Sequence, residues 1–175
     1  EMEQLKRREY AKDALGFLKW MIYAAVIGLL VGVVGIVFHH GIDFATHFRM
    51  EQPDMIVMLP FGGFVIVASY LITGMEKDRG TNLVLVAVRE AEPMKLRTAP
   101  LIFISTILTH MAGGSAGREG AALQLGGSLG AYVGRKIHLD VRDHKVMVMC
   151  GMSAAFSSLF GTPMAAAIFS MEVVS

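Results

Sequence analysis

Polar residues cut this chain into apolar stretches of unequal length, and those lengths predict its architecture. Positions 21–38 run for eighteen residues without a charge or a histidine. As a helix they rise about 27 Å, close to the roughly 30 Å of a bilayer's hydrocarbon core. Ala24, Gly28 and Gly32 recur every fourth position, which predicts a small face packed closely on another helix. Positions 55–75 form a second uncharged run, of twenty-one residues. Pro60, Gly62 and Gly63 lie inside it and predict a kink. "EKDRGTN" then interrupts, "LVLVAVRE" predicts a helix of two or three turns, and "AEPMKLRTAP" reads as a polar loop.

The next run, 98–117, has twenty residues free of Asp, Glu, Lys and Arg. "GGSAG" closes it with three glycines in five residues, each costing about 1 kcal/mol in a helix interior. The helix is therefore expected to end near Met111, after thirteen or so residues and about 20 Å. Arg118 and Glu119 then fall at membrane depth on irregular backbone, where a charge costs about 2.5–3.5 kcal/mol on insertion scales. Positions 120–134 are again uncharged, and Gly126, Gly130 and Gly134 repeat at four-residue spacing. "RKIHLDVRDHK" reads as a polar loop. Positions 146–171 are uncharged, but "FGTP" splits them into pieces of about fifteen and eight residues. One or two full spans are thus followed by several half-length helices. Irregular backbone survives in a membrane only where protein buries it or where it lines a watery cavity. Broken helices whose ends meet near the midplane build transporter and channel sites. The predicted fold class is all-α, a polytopic membrane protein.

Composition agrees. Of the 175 residues, 54% are hydrophobic and 18% charged, against about 25% charged in an ordinary soluble domain. A formal net charge of +1 points to no nucleic-acid partner. The lone Cys150 cannot form an internal disulfide. His39, His40, His47 and His110 match no metal-ligand spacing, and no cofactor motif, P-loop or catalytic triad is present, so neither a metal, a cofactor nor an enzymatic activity is expected. Residues 1–20 are charged for too long to be a signal peptide. They are expected to form an amphipathic cytoplasmic helix, with residues 21–175 as the membrane domain. Lys6, Arg7, Arg8, Lys12 and Lys19 favour a cytoplasmic N-terminus in a multi-pass cell-membrane protein, although Arg135, Lys136, Arg142 and Lys145 blur the tally. The sequence starts at Glu rather than Met and stops in apolar residues, so a piece of a longer polypeptide is expected.

A glycine-rich break that opens a helix leaves backbone N–H groups unpaired, and the helix dipole adds about half a positive charge. The two together make an anion site. In "GREGAALQLGG", Gly117, Arg118, Gly120 and Ala121 are the candidate amide donors. With no lysine or metal, such a site holds a small anion loosely enough to release it. Glu119 carries its carboxylate at the same positive end. It can compete with the anion as a gate, take up a proton, or simply cap its own helix or pair with Arg118. "DRGTNL" is a second helix start, with Gly80 at the turn. Thr81 or Asn82 can cap the helix there, or the Thr81 hydroxyl can face an anion.

"GGSAGREGAALQLGGS" resembles the G-R-E-G-P motif of the CLC chloride channels and proton-coupled anion antiporters. "CGMSAAFSSLFGTPMAAAIFSMEV" resembles the next two helices of that family, and "RGTNLVLVAV" sits where it has G-S-G-I-P. The likeness covers about Gly80 to Val173, with the earlier spans in the expected order. It implies one inverted-repeat half of the CLC fold, the N-terminal one, with the second repeat absent. It implies Glu119 as gating glutamate and outer proton acceptor, the helix start at Gly117, Arg118, Gly120 and Ala121 as the amide cradle, and Thr81 at the place of the anion-contacting serine. Glu172 matches the first of two acidic residues closing the half-repeat. Three departures stand out. Ala121 replaces proline, Thr81-Asn82 replace Ser-Gly, and Val173 stands where many antiporters carry an inner proton-transfer glutamate. The fluoride/proton branch resembles "THMAGGSAGREG" and "GTPMAAAIFSMEV" well but tends to have Met at the Thr81 position. The resemblance therefore implies transport of chloride, or alternatively of fluoride in exchange for protons. The implied partners are the anion, a proton, the lipid bilayer and a second half-chain or homo-oligomer. A non-transporting assembly subunit is the remaining alternative.

Overall fold

The structure is a computed structural model that describes residues 2–75, 80–90 and 94–173. It is all-helical, with no strand among the described residues. Helix α1 runs from Met2 to Glu51. A 3₁₀ segment, Pro53–Met58, leads into α2 at Leu59–Ile72. The short α3 spans Thr81–Glu90 and α4 spans Thr98–Met111. Helix α5 covers Arg118–Lys136, α6 Val141–Phe160 and α7 Pro163–Glu172.

Among the described residues, two helical stretches are long and apolar enough to cross a bilayer, Asp13–Glu51 and Pro53–Ile72. Helices α3, α4 and α7 are too short to span. Helix α4 ends at Met111, and α3 and α7 have ten residues each, a rise of about 15 Å.

Several expectations are refined. Helix α1 continues unbroken through residues 20 and 21, because no glycine pair or proline interrupts it there. The amphipathic character expected of residues 1–20 falls largely on side chains outside the described residues. Pro60 does not kink α2. It occupies the helix's first turn, where its missing N–H costs nothing. The "RKIHLDVRDHK" loop shrinks to residues 137–140, because its charged residues extend the flanking helices. Asp140 caps α6, its side chain accepting from the Asp143 amide at 2.9 Å. That start makes α6 twenty residues long, longer than its uncharged run. The polar interruptions at 76–79 and 91–93 lie outside the described residues.

Helix α5 is the axis of the fold. Neighbouring positions on it point to three different partners, because each residue turns about 100° around the helix. Leu123 joins Val84, Val88, Met94 and Met152 from the α3 and α6 side. Ala122 joins Ile27, Val31, Met147 and Ala155 from α1 and α6. Ala121 and Leu125 join Phe38 and Ile42 of α1 and Ala99 of α4. The glycine stripe works as predicted on α5. A Cβ on Gly126 would run into the Gly151 carbonyl, and one on Gly130 would stand 2.6 Å from the Met147 carbonyl. The stripe predicted on α1 does not. A Cβ on Gly28 or Gly32 would meet nothing within 4 Å, whereas one on Gly41, off that stripe, would stand 2.6 Å from the Ile107 side chain of α4.

Helix α2 buries no residue, and Phe61, Phe64, Val67 and Ile72 are exposed. Such an apolar surface suits lipid or further protein, since in water it would forgo about 25 cal/mol per Å².

Candidate functional site

The segment between α4 and α5 is built to reverse the chain in a small space. The Gly113 amide reaches the His110 carbonyl at 3.1 Å and the Gly114 amide reaches Thr109 at 2.8 Å, closing the last turn of α4. Gly113 takes φ +84°, a region other residues rarely enter. Gly117 is extended, at φ −68° and ψ 137°, and is the N-cap of α5. Arg118 and Glu119 are therefore its first two helical residues. No side chain caps this end. In a regular helix the N–H groups up to Gly120 have no intrahelical acceptor, and Ala121 is the first to reach back, toward the Gly117 carbonyl. Buried apolar contacts of the next residues fix where this helix end points.

The second helix start lies against the first. Gly80 turns at φ +60° and Thr81 opens α3. The Thr81 Oγ1 stands 2.6 Å from where a Cβ on Gly120 would be. Only glycine admits that approach. Two positive helix ends, each worth about half a charge, thus converge, although thirty-seven positions separate Gly80 from Gly117.

A cavity of about 390 Å³ opens beside them. Gly117, Gly120 and Ala121 line it from α5, Thr81 from α3, and Ser105, Thr106 and Thr109 from α4. Gln124, one turn beyond Gly120, lines it as well. Its lining supplies hydroxyl, amide and backbone groups and no charged side chain. Neutral donors at a positive helix end can hold a small anion without the tight grip of a full cation.

Glu119 is exposed and Arg118 half-buried. The Glu119 Oε2 folds back to 3.2 Å from where a Cβ on Gly117 would stand. No ion pair joins it to Arg118; His39 and Asp43 on α1 do pair, at 3.2 Å. Asn82 is exposed and lies outside the cavity lining. Glu172 ends α7, and Val173 follows with its carbonyl 3.5 Å from the Arg89 guanidinium.

Sequence reasoning missed several neighbours. Arg49 of α1 reaches under the loop, with its Nε 3.2 Å from where a Cβ on Gly113 would stand. That Nε is buried without a hydrogen-bond partner. Arg49 is sixty-four positions from Gly113, so no local pattern could have announced it. Gln124 did leave a signal, being a lone amide in "GAALQLGG". The α4 hydroxyls left none, because Ser and Thr also bond back to their own helix, as Thr109 does to the Ser105 carbonyl at 2.7 Å. His110 is used in the same way, with its Nδ1 2.8 Å from the Thr106 carbonyl.

Comparison with known proteins gives concordant results. The sequence model of the voltage gated chloride channel family matches residues 62–175. A "Chloride/fluoride channel protein" of Pseudomonas syringae pv. tomato is 36% identical over 100% of this chain and 39% of its own length. An "H(+)/Cl(-) exchange transporter ClcA" of Salmonella arizonae is 27% identical over 87% of this chain and 35% of its own. Among solved structures, a CLC-type fluoride/proton antiporter superposes with a TM-score of 0.81 at 36% identity, over 86% of this chain and 38% of the other. The chain thus spans under two fifths of the length of each of these relatives.

Proposed function

Because the chain belongs to the voltage-gated chloride channel (CLC) family and has its all-α fold, we propose that it supplies one half of a transmembrane pathway for small anions. The observation that carries this reading is the meeting of two helix N-termini, at Gly80–Thr81 and Gly117–Gly120, over a polar cavity without a charged lining side chain. The amides that open α5 and both dipoles attract an anion, and a lining without lysine lets it leave. Glu119 sits at the same end and competes for that position. As a carboxylate it excludes the anion, and on taking up a proton it withdraws the competing charge. The Thr81 hydroxyl donates to the anion. The uncovered side of the site, where Glu119 is exposed, is completed by the rest of the pathway, from a second half-chain, a further copy or additional polypeptide. The protein crosses the cell membrane several times, with its N-terminus in the cytoplasm.

Chloride is the first substrate of this reading. A specific observation also favours fluoride exchanged for protons: the relatives whose names mention fluoride are 36% identical, against 27% for the chloride exchanger. Efflux from proteoliposomes loaded with chloride alone or fluoride alone separates the two. Chloride efflux supports the first reading. Fluoride efflux with chloride retained replaces it with the second. Retention of both anions refutes transport and leaves an assembly subunit.

A further inference from the structure

Helices α2 and α4 meet where the chain turns toward α5. A Cβ on Gly62 would stand 3.5 Å from the Ala112 methyl, and one on Gly114 would stand 3.5 Å from Leu59. Toward the other end of the pair, near Thr73 and Arg97, a groove of about 460 Å³ opens between the two helices. Ile72, Leu101 and Ile104 give it apolar walls. Ser69 and Thr73 line it too, but their hydroxyls turn to their own helix, donating to the Val65 and Ser69 carbonyls at 2.7 Å each. Of the described residues, Arg97 alone brings a charge to the lining. It is exposed and makes no ion pair among the described residues. The amides of Thr98 and Ala99 bond back to the Lys95 and Leu96 carbonyls at 3.2 and 3.1 Å, and Pro100 has no N–H to offer. The guanidinium, rather than the start of α4, is therefore what an anionic group meets there.

We propose that this groove binds one anionic phospholipid, with an acyl chain lying between α2 and α4 and the phosphate paired with Arg97. The inference rests on α2 as a membrane span and is independent of the gate and of the anion carried. The stretch Pro53–Ile72 is long and apolar enough to span, and α2 buries no residue. Arg97 immediately precedes α4 and Ile72 closes α2, so the cation stands where both helices leave the hydrocarbon, at headgroup depth. Basic pockets between transmembrane helices hold anionic headgroups in this way. A guanidinium can donate to two phosphate oxygens at once, and Lys95, exposed two positions earlier, adds to the positive potential. An apolar helix laid in the same groove would cover Arg97 and leave its charge without a counter-ion, which is strongly unfavourable. A phosphate supplies that counter-ion. Arg97 and the glycine loop that leads to Glu119 lie at opposite ends of α4, so the lipid steadies the α2–α4 pair without entering the anion site.

The test is native mass spectrometry of the detergent-purified protein mixed with equal amounts of phosphatidylglycerol and phosphatidylcholine. The parent should retain one phosphatidylglycerol, preferred about fivefold over phosphatidylcholine, the effect of one cation at an anionic lipid surface. Arg97→Gln should lose that preference. Arg142→Gln, which removes an exposed charge from the start of α6, should keep it. Ile104→Trp fills the groove from an exposed position and should shed both lipids; if it fails to assemble, Arg97→Gln decides the case alone. Equal retention of the two lipids by the parent, or a preference that persists in Arg97→Gln, overturns the proposal. A protein dimer in lipid-free detergent that Ile104→Trp dissolves overturns it as well, because a second copy then covers the groove. Failure of anion efflux would strike the transport reading alone, since these masses do not depend on it.

Discussion

At the scale of single residues, position within an element decides what a charge can do. Glu119 and Glu90 are both glutamates on short or interrupted helices, but Glu119 stands at the second position of α5 and Glu90 at the last of α3. Only the first meets unpaired amides and the positive end of a dipole. His144 shows the same dependence outside the membrane-spanning region. It lies in the first turns of α6, its Nδ1 2.7 Å from where a Cβ on Gly134 would stand. Burial, and then the nearby Arg135, lower its pKa from 6.5. The unfolded chain therefore binds more protons than the folded one as pH falls through 6.5 and below, and stability is lost in that direction. The thermal midpoint of the detergent-solubilised protein should drop between pH 7.5 and 5.5. His144→Gln should shrink that drop, and an undiminished drop in the variant would show that other groups cause it.

At the scale of elements, the apolar runs and glycine breaks were legible in the sequence because they are local. The end of α4 at Met111, the split of α6 from α7 and the close contact along Gly126, Gly130 and Gly134 all follow from the residues present. The α1 stripe of Ala24, Gly28 and Gly32 has the same spacing and packs on nothing at Gly28 and Gly32 within this chain. Spacing says that a helix can approach closely, and only the fold says which helix is there. The Gly126 contact gives a direct check. Gly126→Leu would drive a side chain into the Gly151 carbonyl, a backbone atom that cannot rotate away. Overpacking of this sort costs about 1–3 kcal/mol or more. The variant should show a lower melting temperature and less folded protein in fluorescence-detected size exclusion, whereas Gly28→Leu, in open space, should match the parent. Equal behaviour of the two variants would mean that the α5–α6 contact does not hold the fold together.

At the scale of the molecule, the site is assembled from parts far apart in sequence. Both helix starts were visible in "DRGTNL" and "GGSAGREG", and so was the kind of chemistry they offer. Their meeting at Thr81 and Gly120 was not, because it depends on three apolar clusters that share α5. The same clusters bring Arg49 and the α4 hydroxyls to the site with no trace in local pattern. Helix α2 buries no residue and Glu119 is exposed, which is where the proposed reading puts the rest of the pathway. The proposal rests at every scale on competition at one helix end between a fixed carboxylate and a mobile anion. Steady anion efflux from proteoliposomes, recorded across external pH for the parent and for Glu119→Ala, measures that competition. The variant should leak anion faster than the parent at neutral pH and lose its dependence on pH. Equal efflux and an equal pH response in the two proteins would contradict the gate.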